Sequence, residues 1–266
     1  MMQSSFFAGI PQTPIDIRGV AAENPLFYRE LSMMFAVFSA PTDACAAHVG
    51  APEVVPLELA ANRTLVAVQC FEYRHCGVGP YNEVSIAVAV RRREEHRART
   101  LLRTLTRRQF GGFVVDLPVN TDVALHAGLD IFGYPKWRAR IEFEDIGDER
   151  RCSVRDGTTG ELVYAFTGDR LRTVARGPLP SAAAGHGRET ALFRTYPVKD
   201  GRTLAATMLL NERAAGVSVL RPSAFCVELG THPAAMKLRS LRLGRLLAYR
   251  YVPESEAILF APAPLL

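Results

Sequence analysis

The chain has 266 residues and a mass of 29.2 kDa, a length that can bury a substantial core and at which many β-rich folds form one domain. Hydrophobic residues make up 48% and charged residues 22%, as in ordinary globular proteins. The formal charge is +5, but the arginines are scattered, and the densest basic run also contains Glu94 and Glu95. We therefore expect no nucleic-acid partner, although the positive charge favours small carboxylate substrates.

The cysteine and histidine spacing and the N-terminal sequence indicate the cellular compartment and whether a metal site is expected. Five cysteines lie at positions 45, 70, 76, 152 and 226 without CxxC spacing, which predicts neither a disulfide framework nor a zinc site and fits a reducing compartment. His75 adjoins Cys76, but no partner has ligand spacing, so no metal is expected. No secretory signal and no apolar run of about 18 residues is visible. A cytoplasmic protein without membrane contact is predicted.

The first half of the chain predicts mostly strands. Residues 1–30 contain three prolines with little periodicity and are interpreted as an extended N-terminal arm, before one domain at 31–266. A short helix is capped by Thr42 or Asp43 and ends at His48. Residues 97–108 have leucines at helical spacing and predict an amphipathic helix. Alternation of apolar residues predicts strands at 31–39, 57–59, 64–73, 84–90 and 113–117.

The second half continues the pattern. A short helix is predicted at 121–127, with Asn120 or Thr121 as its cap and Gly128 past its end. Asp156-Gly157 and Asp200-Gly201 are hairpin signals. The Gly/Pro/Ala-rich stretch 176–188 predicts a loop, and Pro233 opens a further helix. Strands are predicted at 138–143, 152–154, 162–167, 192–197, 203–211, 217–220, 225–229, 246–252 and 257–260. Many short strands with a few helices predict an α+β, β-dominated domain.

One lysine stands out as a candidate catalytic residue. Only three of the 32 lysine and arginine residues are lysines, so the chain uses arginine wherever a plain positive charge suffices. Lys136 lies among Ile131, Phe132, Tyr134 and Trp137, and apolar surroundings disfavour the ammonium form and leave an amine nucleophile. Taken alone, the segment is equally compatible with a surface lysine after a Gly-Tyr-Pro turn.

Two segments together resemble the acetoacetate decarboxylase family. Gly133-Tyr134-Pro135-Lys136, with Asp130 upstream, is similar to the family's active-site segment, in which the lysine forms a Schiff base with a keto acid. Tyr81-Asn82-Glu83 resembles the family's Tyr-x-Glu, whose carboxylate faces that lysine. The resemblance implies a curved antiparallel sheet closed into a cone-like barrel with a few short helices. It also implies catalysis without a cofactor, and a homo-oligomer.

The resemblance assigns further roles. Lys136 and Glu83 would be catalytic, and Arg29, Tyr81, Phe132 and Tyr134 would bind substrate. A strand-end Glu83 paired with a surface arginine is the alternative for that carboxylate.

Three positions depart from the family's pattern. Trp137 stands where the decarboxylases usually carry a second lysine, and neither Val68 nor Gln69 is the further glutamate expected one strand back. Arg29-Glu30 resembles the dipeptide of a substrate-holding arginine, but counting along the strand gives Met33 instead.

The leading hypothesis is a lyase that forms a Schiff base through Lys136 on a small oxo acid, with decarboxylation of a β-keto acid first. Aldolase or dehydratase chemistry on pyruvate-like oxo acids is the alternative, and a non-catalytic ligand-binding protein is a further one. Arg29 pointing into the cavity would favour chemistry that retains the carboxylate. Met33 facing inward would favour a larger, more apolar β-keto acid.

Overall fold

The computed structural model describes residues 4–175 and 190–265, and the predicted loop at 176–188 lies outside them. Strands dominate, with a few short helices, which confirms the predicted class. The helices are α1 Thr42–Ala46, α2 Arg97–Arg107, α3 Asp122–His126 and α4 Ala235–Ser240. The strands are β1 Thr13–Ile17, β2 Val20–Asn24, β3 Leu26–Pro41, β4 Val54–Pro56, β5 Arg63–Cys76, β6 Tyr81–Arg92, β7 Gln109–Val119, β8 Lys136–Ile146, β9 Glu149–Asp156, β10 Leu162–Asp169, β11 Val174–Ala175, β12 Thr190–Thr195, β13 Val198–Lys199, β14 Arg202–Val219, β15 Phe225–Leu229 and β16 Leu246–Pro264.

Seven strands close into a barrel, in the order β7-β12-β14-β16-β3-β5-β6 and back to β7. Most neighbours are antiparallel, but β12 and β8 both run parallel to β7. β12 pairs with the start of β7, from Gln109 to Gly112, and β8 pairs with its end, from Leu117 to Val119. β8 therefore leads away from the barrel into a second sheet, β8-β9-β10-β15.

The barrel strands are apolar on both faces because both faces are buried. On β5, Val66, Val68 and Cys70 belong to a core between the barrel wall, the second sheet and α4. The alternate residues Ala67 and Gln69 line the barrel interior. Since side chains of a strand alternate between its faces, one strand serves two cores.

The N-terminal segment differs from the predicted extended arm. Residues 13–24 form the β1-β2 hairpin, and β3 begins at Leu26 rather than at residue 31. Ile17 and Ala22 of the hairpin pack with Ala127 in a small apolar cluster beside the lysine segment. The hairpin therefore covers the segment that precedes Lys136.

Several element bounds also differ from prediction. The strand expected at 57–59 lies instead at Val54–Pro56, where it pairs with β6. The helix α2 is confirmed, but its leucines do not form a core face: Leu102 is 60% exposed and Leu105 81%. Within the described residues no helix has both the length and the apolar character needed to span a membrane.

Candidate active site

The candidate lysine is positioned by a helix and a tight turn. The Thr121 hydroxyl accepts a hydrogen bond from the Ala124 N–H at 3.4 Å and caps α3, as predicted. A π-helical segment, Ala127–Phe132, follows and ends at Gly133, whose φ of 72° lies in the left-handed region. A Cβ at Gly133 would also lie 2.8 Å from the Lys199 Cβ, so the turn requires glycine. Lys136 then starts β8.

Lys136 and Glu83 form a buried ion pair. The Lys136 Nζ lies 2.8 Å from the Glu83 Oε2, and the two side chains are only 7% and 9% exposed. The Lys136 Nζ also donates to the Ala124 carbonyl at 3.2 Å. A Cβ at Gly128 would lie 2.2 Å from the Lys136 Cδ, so the missing side chain leaves the space that the lysine stem occupies. A surface position for Lys136 and a surface partner for Glu83 are thus both excluded.

Tyrosines surround this pair on the barrel side. The Tyr73 hydroxyl donates to the Glu83 Oε1 at 3.3 Å, and the Tyr81 ring centroid lies 5.5 Å from the Lys136 Nζ. The Tyr28 and Tyr81 hydroxyls lie 3.2 Å apart. Burial, reinforced by the Glu83 charge, holds the pKa of Tyr73 well above its ordinary value. Tyr73 therefore keeps its proton and remains a hydrogen-bond donor to the carboxylate at neutral pH.

Phe132 and Tyr134, predicted to bind substrate, also line the barrel cavity. Their rings stack with centroids 5.6 Å apart. The Tyr134 and Thr195 hydroxyls lie 2.6 Å apart, which joins the turn to β12. Burial raises the pKa of Tyr134 as well, so its hydroxyl stays neutral. Both residues stand within the same enclosure as the Lys136 amine.

Arg29 is not part of this enclosure, and its predicted place in the cavity is corrected. Its side chain is exposed, and its guanidinium carbon lies 4.9 Å from the centroid of the Phe7 ring. The neighbouring Tyr28 points into the cavity, so alternation sends Arg29 outward. A register irregularity between Tyr28 and Leu31 then shifts the alternation, and Met33 joins the buried cluster around the cavity.

Val68 and Gln69, near which the resemblance implies a further glutamate, lie on opposite faces of β5. Gln69 faces the cavity, whereas Val68 belongs to the core behind the barrel wall. Gln69 lies directly opposite Ser85 on β6, and Ser85 is buried and lines the cavity too. Within the described residues neither side chain has a hydrogen-bond partner. Ser85 was not singled out from the sequence, although its place two residues after Glu83 on an alternating strand could have indicated it.

Trp137 points away from the amine. The Trp137 indole N–H donates to the Asp116 Oδ1 at 3.0 Å, and the Tyr164 hydroxyl donates to the Asp116 Oδ2 at 2.9 Å. Burial raises the pKa of Asp116. Trp137 therefore links β8 to β7 and β10 through Asp116, and it contributes no charge beside Lys136.

The cavity encloses about 200 Å³ and is mostly apolar. Arg194 borders it, but this residue is exposed and lies between Phe193 and Thr195, which face inward on the same strand. In the described part of the chain, Lys136 is thus the one cationic side chain directed into the cavity. The described residues also contain no group of three His, Cys, Asp or Glu side chains arranged to hold a metal ion.

The chain is similar to several solved structures. Acetoacetate decarboxylase from Legionella pneumophila matches with a TM-score of 0.62 and 16% identity, over 91% of this chain and 88% of that one. An acetoacetate decarboxylase-like enzyme from Sphingomonas wittichii matches with a TM-score of 0.52 and 14% identity, over 91% and 94%. At these identities the likeness concerns the fold.

A third similar structure carries a ligand. The enduracididine biosynthesis enzyme MppR, complexed with the condensation product of pyruvate and imidazole 4-carboxaldehyde, matches with a TM-score of 0.59 and 10% identity. The match covers 90% of this chain and 88% of that one.

The sequence comparisons complete the assignment. No curated protein matches the chain. The family model for acetoacetate decarboxylase (ADC) matches residues 12–260, which is nearly the whole chain and includes both Glu83 and Lys136. The protein therefore belongs to the acetoacetate decarboxylase family.

Proposed function

We propose that the protein is a cofactor-free lyase whose Lys136 amine forms a Schiff base with an oxo acid and promotes decarboxylation of a β-keto acid. The observation that carries the proposal is the 2.8 Å contact between the Lys136 Nζ and the Glu83 Oε2, buried at the polar end of an apolar cavity. A nucleophile and a proton acceptor within hydrogen-bond reach are what covalent catalysis by an amine requires.

The pair accounts for the proton transfers of imine formation. Glu83 accepts a proton from the Lys136 ammonium, and the free amine adds to the ketone carbon. Glu83 returns a proton to the carbinolamine oxygen, which leaves as water, and a protonated imine remains. The electron pair of the bond to the carboxylate then moves into the imine, and CO₂ departs. The enamine carbon takes a proton from solvent, and addition of water to the resulting imine releases the ketone and restores the amine.

The surroundings favour loss of the carboxylate over its retention. A retained carboxylate calls for a fixed cation or several donors, as in charge-assisted hydrogen bonds. Arg29 lies outside the cavity, and Met33 takes the inward position. The donors next to the reacting end of the cavity, at Lys136, are neutral: the Gln69 amide, the Ser85 hydroxyl and the tyrosine hydroxyls. They can orient a carboxylate without supplying a positive charge to neutralise it. An ionised carboxylate in such an apolar site is destabilised relative to neutral CO₂.

The test measures CO₂ release from β-keto acids, beside trapping of pyruvate on the protein with borohydride. We expect release above the spontaneous rate from the wild type and only the spontaneous rate from the Lys136→Met variant. Lys237→Met is the matched control, because this half-exposed lysine lies outside the cavity, and it should retain the activity. No release above the spontaneous rate, together with trapping of pyruvate on Lys136, would favour aldolase or dehydratase chemistry instead.

A further inference from the structure

The cavity continues well beyond the reacting end. The inward-facing residues of β6 run from Tyr81 through Glu83, Ser85 and Ala87 to Ala89. Glu83 and Ala89 are six positions apart, which corresponds to roughly 20 Å along a strand. A ketone bound to Lys136 and an adjacent carboxylate occupy only the first part of this length.

Small side chains keep the continuation open. Ala67, Ala87 and Ala89 face the cavity from β5 and β6, and Gly112 faces it from β7. A Cβ added at Gly112 would lie 3.8 Å from the Ala87 Cβ and 4.0 Å from the Thr195 Cγ2, which are ordinary contact distances. The position is therefore free of close backbone contacts, and its side chain would project into the cavity space.

The two ends of the cavity differ in polarity and burial. At the Lys136 end, Tyr28, Tyr73 and Tyr81 are buried, and the hydrogen-bonding groups Glu83, Gln69 and Ser85 lie close by. At the other end, the lining residues are Leu65, Thr104 and Phe110, two of which are apolar. Between the two ends, the walls are alkyl and aromatic. A ligand lying along the cavity would thus be polar at its Lys136 end and apolar at the other.

We propose that this apolar section holds an unbranched alkyl chain and that the substrates are medium-chain 3-oxo acids, with the small residues Ala87 and Gly112 leaving the room that the chain occupies. The inference rests on the proposed function, because it places the ketone of the same molecule at Lys136. Burial of alkyl groups drives the selection, at roughly a fourfold gain in kcat/KM for each methylene that enters the apolar section.

The experiment measures kcat/KM for CO₂ release from 3-oxobutanoate, 3-oxohexanoate, 3-oxooctanoate and 3-oxodecanoate. For the wild type we expect kcat/KM to rise with chain length until the section is full. Ala87→Leu should abolish the rise, so that kcat/KM no longer increases from 3-oxobutanoate to 3-oxodecanoate, because its side chain blocks the section beyond the reacting end. Ala21→Leu, the same exchange at an exposed position of β2, should leave the whole series unchanged.

The smaller change Gly112→Ala guards against misfolding, since its Cβ meets only ordinary contacts. This variant should reduce the increase in kcat/KM for the longest 3-oxo acid, while its thermal unfolding temperature stays close to that of the wild type. A flat wild-type series, or a series that Ala87→Leu and Gly112→Ala leave unaltered, would overturn the inference.

A separate readout distinguishes this failure from failure of the proposed function. Borohydride treatment with propanone or 2-nonanone traps an imine without any decarboxylation. Trapping of both ketones to the same extent at limiting concentration overturns the chain-binding inference but leaves the Schiff base standing. Absence of trapping for both ketones rejects the lysine mechanism itself. Preferential trapping of 2-nonanone, lost in Ala87→Leu, supports the inference.

Discussion

At the scale of single residues, the sequence indicated both members of the buried ion pair but placed one arginine on the wrong face of its strand. Lys136 stood out because lysine is rare in this chain, and Glu83 entered through the family resemblance; the structure brings them to 2.8 Å. Arg29 was misplaced because the alternation of β3 shifts between Tyr28 and Leu31. No residue type in that stretch marks the irregularity, so counting along the strand from the sequence could not reveal it.

The residue-scale prediction concerns Glu83. Glu83→Gln keeps the shape and can still accept a hydrogen bond from Tyr73, but it cannot carry protons between steps. We expect imine trapping to persist and turnover to slow by about 10²–10⁴-fold. Single-turnover trapping beside steady-state CO₂ release measures the two effects separately. A variant with unchanged turnover would show that Glu83 only holds the lysine in place.

At the scale of elements, alternation and turn residues predicted most strands, but not their lengths. β16 was predicted as two strands, 246–252 and 257–260, and the structure joins them through an irregularity between Val252 and Ser255. The Asp156-Gly157 and Asp200-Gly201 hairpins are confirmed, since their signals are local. The π-helical segment before Lys136 was not foreseen, because its form depends on packing against the lysine stem and on the β1-β2 hairpin.

The element-scale prediction tests that packing. Gly128→Ala places a Cβ within 2.2 Å of the Lys136 Cδ, so either the lysine stem or the π-helical segment must shift. Because Lys136 is also held by Glu83 and the Ala124 carbonyl, we expect the amine to leave its productive position and the rate of imine formation to fall by at least about tenfold. Thermal unfolding and trapping kinetics are the measurements. Gly157→Ala is the control, since a Cβ at Gly157 lies 3.7 Å from the Arg138 carbonyl.

At the scale of the whole molecule, strands apolar on both faces explain why one chain makes two cores. The outward faces of the barrel strands pack with the second sheet and α4, and the inward faces enclose the cavity. The sequence predicted the β-dominated class from alternation, and the cone-like closure came only through the resemblance. Closure depends on the long-range pairing of β6 with β7 and of β12 with β7, which no local pattern encodes.

The central claim is that Lys136 forms the Schiff base, and peptide mapping after borohydride reduction tests it most directly. The chain has only three lysines, Lys136, Lys199 and Lys237, so an adduct can be assigned without ambiguity. Incubation with a 3-oxo acid and borohydride should add one reduced ketone to the peptide that contains Lys136 and should leave the other two lysines unmodified. An adduct on Lys199 or Lys237 alone, or an unmodified Lys136 under conditions where CO₂ is released, would contradict the account.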